Sequence, residues 1–266
     1  MTILQAIFLG LVQGFTEFIP VSSSGHLILA RHFIHMPVTG LTFDVALNIG
    51  TLAALVIYFH KDIWILSKAI FTKQKESKLA WLLVVATIPA VIAGVLLEKS
   101  AETAFRSPRL VAINLIIVAI IMLCAERYYH LRVKKPTKLD DVSNKQAIGM
   151  GIAQAAALIP GVSRSGSTIS VGLFLGMDRV AAMRFSFLLG IPIMFGGIGK
   201  KLLEPGFAAQ FHSEQAQYIA GILAAFVSGM IAIRFLLSYL SKHSLSIFAY
   251  YRIALSVVVL IALALQ

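Results

Sequence analysis

The chain has 266 residues, 58% hydrophobic and only 13% charged, with a mean hydropathy of +0.86 and a formal net charge of +11. A soluble domain carries roughly 25% charged residues, so composition excludes a water-soluble protein and specifies an integral membrane one. A single cysteine, Cys124, excludes an intramolecular disulfide.

In chain order, residues 3–36 come first: about a dozen apolar positions, a break of proline, serines and glycine, then a second apolar arm. No basic leader or small-x-small cleavage site precedes the break, and Glu17 interrupts the apolar run, so this stretch reads as retained rather than as a signal peptide. Each arm is too short to cross a hydrocarbon core of roughly 30 Å. Pro20 lacks the backbone donor that would continue a helix, and the serines after it suit the start of a new one. Irregular backbone at membrane depth survives only inside protein or beside an aqueous cavity, so the segment reads as a re-entrant helical hairpin.

Three apolar stretches follow at about 43–60, 80–97 and 109–126, each long enough to span. A basic linker, 128–145, separates them from residues 146–177, where the opening pattern returns 141 positions further on. Gln5-Ala6-Ile7, Gly10 and Gln13 are matched by Gln146-Ala147-Ile148, Gly151 and Gln154. Val21-Ser22-Ser23-Ser24-Gly25 is matched by Val162-Ser163-Arg164-Ser165-Gly166. Pro160 takes the place of Pro20, and this second segment reads as another re-entrant hairpin. Spans at about 180–199, 215–237 and 247–265 complete the chain.

The expected fold is therefore an all-α integral membrane protein with six spans. It is an inverted repeat of one re-entrant helical hairpin plus three transmembrane helices, 1–127 and 146–266. Three spans is an odd number, so the second copy is inverted and the hairpin tips meet near the middle of the membrane. Gly10-x-x-x-Gly14 and Gly172-x-x-x-Gly176 are expected to let helices approach closely. Lys61, Lys68, Lys73, Lys75 and Lys78 fall in one loop, and Arg127, Arg132, Lys134, Lys135, Lys138 and Lys145 in another. Both lie on one side if the spans alternate. Opposite them stand only Lys99, Arg106, Arg109, Lys200 and Lys201. This is the positive-inside pattern, which accounts for the net charge without nucleic acid.

The tips carry the chemistry. Glu17 shares a helix face with Gln13, four residues earlier. Ser22, Ser23 and Ser24 open the next arm, where free amides and the helix dipole favour an anion. His26 follows in the first turn, and in the second tip Arg164 stands among Ser163, Ser165, Gly166 and Thr168. Asp44 and Asn48 share a face of the first span and fit the same polar cavity. A guanidinium among hydroxyls suits phosphate or diphosphate. A carboxylate facing phosphate calls for a divalent cation between them, Mg²⁺ or Ca²⁺, with Glu17 as the metal ligand. Taken singly, the serines read equally as helix caps, and Glu17 with Arg164 as a structural ion pair.

The run Gln13-x-x-x-Glu17 with Pro20-Val21-Ser22-Ser23-Ser24-Gly25-His26 resembles the first signature of the undecaprenyl-diphosphatase (bacitracin-resistance) family. Pro160-Gly161-Val162-Ser163-Arg164-Ser165-Gly166-Ser167-Thr168 resembles the second. Phe185-Ser186-Phe187-Leu188-Leu189, the Ile-Pro pairs at 88 and 191, and Tyr251-Arg252 extend the likeness along the chain. The resemblance implies a bacterial cytoplasmic-membrane phosphatase that recycles the lipid carrier of peptidoglycan synthesis, confers bacitracin resistance and depends on a divalent cation. Its site would be open to the periplasmic side.

By matching position it implies Glu17, Ser23, His26 and Arg164 as catalytic, with Ser23 the candidate nucleophile. Gln13, Ser22, Ser24, Gly25, Ser163, Ser165, Gly166 and Thr168 would bind substrate. Gln13 stands where many members have Glu, which removes a second carboxylate. Expected partners are a polyprenyl diphosphate lipid, membrane lipids and at most a second copy of the chain as a homodimer. The alternative from another class is an inverted-repeat transporter or flippase for a phosphorylated lipid or anion.

Overall fold

A computed structural model describes residues 1–35, 41–72, 76–102 and 106–266, without the side chains of 41 and 97–102. Lys73 and Lys75 of the first basic loop, and the side chain of Lys99, lie outside the described residues. The described residues are helical, with no strand among them.

The first hairpin is α1 (Ile3–Phe18) and α2 (Ser23–Phe33); the second is α7 (Asn144–Ala156) and α8 (Arg164–Phe174). At 16 and 13 residues, the first arms extend about 24 and 20 Å at 1.5 Å per residue, short of a full crossing. Each opens with the same device. Thr2 caps α1 in a capping box with Gln5, and Ser143 caps α7 in a capping box with Gln146, so the repeated glutamines serve the helix starts. The breaks match too. Ser22 (φ 75°) and Ser163 (φ 73°) hold positive-φ backbone and accept the amides of Gly25 and Gly166 at the starts of α2 and α8.

Between the hairpins run α3 (Leu41–Tyr58), α4 (His60–Ile70), α5 (Ser77–Glu102) and α6 (Pro108–Arg132); after them come α9 (Arg179–Leu202), α10 (Phe207–Ser213), α11 (Gln215–Leu240) and α12 (Ser246–Ala264). Five of these, α5, α6, α9, α11 and α12, are each long and apolar enough to cross a membrane. The sixth expected span, 43–60, is α3, which passes that test jointly with α4. The two meet at a 78° bend around Phe59. The first basic loop thus begins as a helix rather than as coil. Its exposed Trp64 carries the Lys68 ammonium 4.4 Å from the ring centroid, and Asp62 pairs with Arg184 of α9 at 2.6 Å.

Packing is reciprocal between the halves. α1 lies along α11 and α7 along α5, each hairpin's first arm resting on a span of the other half, while α6 packs on α12 and touches the second arms α8 and α2. A Cβ on Gly10 would run into Gly221 and Ala224, and one on Gly14 into Ser228 and Ala225, so the first glycine pair makes the expected close approach. The second does so only in part. Gly172 abuts Ala182, but Gly176 is a turn residue (φ 80°) with open space beside it, ending α8 and accepting the amide of Thr137. We expect Gly14→Ala to lower stability by about 1–3 kcal/mol through overpacking, read as a fall in the thermal unfolding midpoint of the detergent-solubilised protein.

Outward faces are apolar, with Trp81, Ile92, Val95, Ile117, Leu223 and Val258 about half or more exposed, as lipid contact requires. Glu126 of α6 accepts three bonds from Arg179 at the start of α9 and the amide of Leu245 ahead of α12, tying three helix ends at the face of the second basic loop.

Candidate active site

The tips are brought together. A Cβ placed on Gly25 would lie 3.5 Å from the Cα of Gly161, and Asn114 of α6 donates to the carbonyl of Pro160 at 2.9 Å. The main fastener is Arg252 of α12, fully buried, whose guanidinium donates to five carbonyls. These are Pro20 of the first tip (3.2 Å), Gly161 and Val162 of the second (2.8 and 3.3 Å), and Leu115 and Asn114 of α6 (3.1 and 3.4 Å). Carbonyls freed where helices break need donors, and one cation supplies them to both breaks. The resemblance includes Arg252 without a role. Its position midway in an otherwise apolar span was the available signal, because a charge at that depth is expensive.

Glu17 sits at the meeting point. Its Oε1 accepts from Arg164 Nη2 at 2.8 Å, across the two halves of the chain, and its Oε2 accepts the Ser23 hydroxyl at 2.5 Å and Gln13 Nε2 at 3.1 Å. Gln13 Nε2 also donates to Asn48 Oδ1 of α3 at 2.8 Å. Both charged side chains are nearly closed off, at 11 and 12% exposure, so the pair is far less screened than a surface one. Arg164 Nη1 has no hydrogen-bond partner among the described residues.

These groups line a cavity of about 340 Å³ together with Ser22, Ser24, Asp44, Arg106 and Ser163. Leu27, Val45, Leu158, Ile193, Met194 and Ile198 form its apolar side. A larger cavity of about 600 Å³ lies elsewhere, between α4, the start of α9 and the linker, with no residue of either tip.

Not every sequence-selected residue reaches this wall. Gly25, Ser165, Gly166 and Thr168 are buried behind it. Thr168 turns its hydroxyl to the Arg164 carbonyl (2.7 Å) and to Ser186 (2.6 Å), and Gly166 gives its amide to the Ser163 cap. Ser165, Gly166 and Thr168 therefore shape the second tip, and Gly25 the first, rather than face the cavity, because the opening turns of α8 and α2 point them into the core. His26 is also absent from the wall. Its Nδ1 lies 2.8 Å from the Ser22 carbonyl, which can only accept, so Nδ1 carries the proton and Nε2 accepts from the Tyr251 hydroxyl at 2.8 Å. The helical turn from Ser22 to His26 directs the ring toward α12. Tyr251, Asn114 and Arg106 are the residues of this region that the tips alone did not reveal.

A divalent cation can be tested against these donors. Among the described residues no group of three or more His, Cys, Asp or Glu is placed to hold a metal by itself. The tip offers one carboxylate, Glu17, beside the amide oxygens of Gln13 and Asn48. That set fits an ion of the Mg²⁺ type, which takes one or two carboxylates and completes its shell with substrate phosphate and water.

Comparison with known proteins agrees with this picture. The sequence profile of the family described as bacitracin resistance protein BacA matches residues 6–258. A protein of Moorella thermoacetica named undecaprenyl-diphosphatase is 48% identical over 261 residues, 97% of each chain. Proteins of the same name from Elusimicrobium minutum and Rubrobacter xylanophilus are 45 and 43% identical over 98 and 97% of each chain. Full-length matches of this strength, on a chain whose two tips share one ion pair, place it in the bacitracin resistance protein BacA family.

Proposed function

We propose that the chain hydrolyses undecaprenyl diphosphate to undecaprenyl phosphate and inorganic phosphate, the activity for which its relatives are named. The observation that carries this reading is Ser23 Oγ held 2.5 Å from a Glu17 carboxylate whose other oxygen faces Arg164. That is a hydroxyl beside a base beside an anion clamp.

The terminal phosphate enters between Arg164 and the Ser22–Ser24 turn. Ser23 Oγ attacks its phosphorus while Glu17 Oε2 takes the hydroxyl proton. The phosphoric anhydride bond breaks toward the lipid, which takes the proton back from Glu17 and leaves as the monophosphate. A water molecule then attacks the phosphoserine, giving its proton to Glu17, which passes it to Ser23 Oγ as inorganic phosphate departs. Arg164 offsets charge on the transferred group, and removal of one such preorganised donor costs on the order of 10²–10³-fold. Glu17, Gln13 and Asn48 are the groups that would hold a Mg²⁺ or Ca²⁺ ion, which when bound neutralises phosphate charge. His26, donating to the tip backbone, positions the Ser22–Ser24 turn.

The tail of the lipid lies against Ile193, Met194 and Ile198 of α9. The cavity is lined by the N-terminal half of α3 and by α9 beyond Pro192, far along the chain from the basic loops. With those loops cytoplasmic, it opens to the periplasmic side of the bacterial cytoplasmic membrane.

The test is phosphate release from undecaprenyl diphosphate by the detergent-purified protein, with and without EDTA. Metal-dependent release is expected, and transport of lipid in vesicles without release would favour a transporter instead. We expect Ser23→Ala to reduce release by about 10³-fold or more, as loss of an activated nucleophile does. Turnover within tenfold of wild type would remove Ser23 as the nucleophile and leave His26 or water in that role.

A further inference from the structure

A second cationic cluster borders the same cavity and has no part in the scheme above. Asp44, at the start of α3, is paired with Arg31 of α2 and, at 3.1 Å, with Arg106 ahead of α6. Arg31 is only 9% exposed, while Arg106 is 27% exposed and lines the cavity with Asp44. One carboxylate cannot satisfy two forked guanidinium groups, each with five donors. Indeed Arg31 Nε and Arg106 Nε are both buried and without a hydrogen-bond partner among the described residues. Two guanidinium groups around one carboxylate, with N–H groups left over, are arranged for an anion.

The charge balance points the same way. Arg164 and Glu17 neutralise each other, so the tips alone offer little net attraction for a diphosphate. A prenyl diphosphate carries about three negative charges near neutral pH, since the second ionisation of a phosphate monoester falls near pH 6. Around the cavity, Arg31, Arg106 and Arg164 face Glu17 and Asp44, an excess of one positive charge. Adding one divalent ion brings the site to the charge of the substrate.

The geometry points to Arg106, backed by Arg31 through Asp44, as a second anion subsite that grips the phosphate group next to the lipid while the terminal one lies on Ser23 and Arg164. This rests on the phosphatase reading and specifies which feature of the substrate the site measures, two linked phosphates rather than one. Arg106 is then a binding residue for the phosphate retained on the lipid, and Arg31 a positioning residue.

The test uses the full chain in detergent, with farnesyl diphosphate as substrate and farnesyl monophosphate and inorganic phosphate as inhibitors. Arg106→Gln is expected to raise KM roughly tenfold with kcat within about threefold, the signature of a lost binding contact. Inhibition by farnesyl monophosphate should weaken by a similar factor, inhibition by inorganic phosphate should stay unchanged, and Arg106→Lys should recover part of the loss. Unchanged KM overturns the assignment, and so does weaker inhibition by inorganic phosphate with farnesyl monophosphate unaffected. If Arg106→Gln does not fold, Arg31→Gln decides: a smaller rise in KM with the same inhibitor pattern is expected, and none refutes the cluster's role. If wild type releases no phosphate, the activity fails separately. Calorimetric titration with farnesyl monophosphate then still tests the clamp, equal affinity in wild type and Arg106→Gln counting against it.

Discussion

Replacing Glu17 by glutamine should lower phosphate release by about 10³-fold or more while leaving the protein folded. The substitution keeps the shape of the side chain and one acceptor oxygen, which can serve Arg164 or Gln13 but not both, since these donate to different oxygens of Glu17. It removes the base that faces Ser23 at 2.5 Å and the charge that pairs with Arg164 at 2.8 Å. Arg164→Lys should fall nearly as far, by about 10²-fold or more, because an ammonium cannot contact the carboxylate and a phosphate through one planar fork. Initial rates at saturating undecaprenyl diphosphate measure both, with the unfolding midpoint as a folding check. Either variant within tenfold of wild type would remove the pair from the chemistry and leave it as a structural tie.

The second large effect is expected at Arg252, which does not line the tip cavity. Arg252→Leu strips donors from five carbonyls in three segments. Each buried acceptor left unpaired costs about 1–3 kcal/mol. Water can reach some of them, so a loss of about 3 kcal/mol or more is expected, together with activity, because Pro20 and Gly161 would no longer share a fastener. Arg252→Lys keeps the charge but offers three donors in place of a fork, and should recover less than half of the stability. Thermal unfolding and phosphate release measured together test this. A leucine variant that is stable and active would show that the tips hold each other without α12.

The architecture was legible in the sequence wherever it rested on local pattern. Apolar length gave the spans, and the recurrence of Gln5, Gly10 and Gln13 at Gln146, Gly151 and Gln154 announced paired hairpins; Gln5 and Gln146 proved to be capping residues. Of the tip residues, those that face the cavity differ from their neighbours only by helical phase. Ser23 and Arg164 look inward to the cavity while Gly25 and Thr168 look away, and phase across an irregular turn cannot be read from composition. Long-range polar contacts were out of reach for another reason. Arg31 and Arg106 meet at Asp44, and His26 meets Tyr251, through chain separations that no local spacing encodes. The bend between α3 and α4 was hidden because Lys61 reads as loop, whereas it lies in the first turn of α4, which leaves α3 at 78°.

The equivalence of the two tips has one last consequence. Laid over each other by the 141-residue offset, Ser22 matches Ser163 and Gly25 matches Gly166, whereas Ser23 falls on Arg164, Glu17 on Leu158 and His26 on Ser167. Ser22 with Ser163, and Gly25 with Gly166, build the two helix starts; the positions that diverged hold the ion pair and the candidate nucleophile. An assembly of two identical halves would set arginine against arginine or serine against serine, with no complementary partner for either. Joining both halves in one polypeptide let each drift alone, so the chemistry here is a product of broken symmetry.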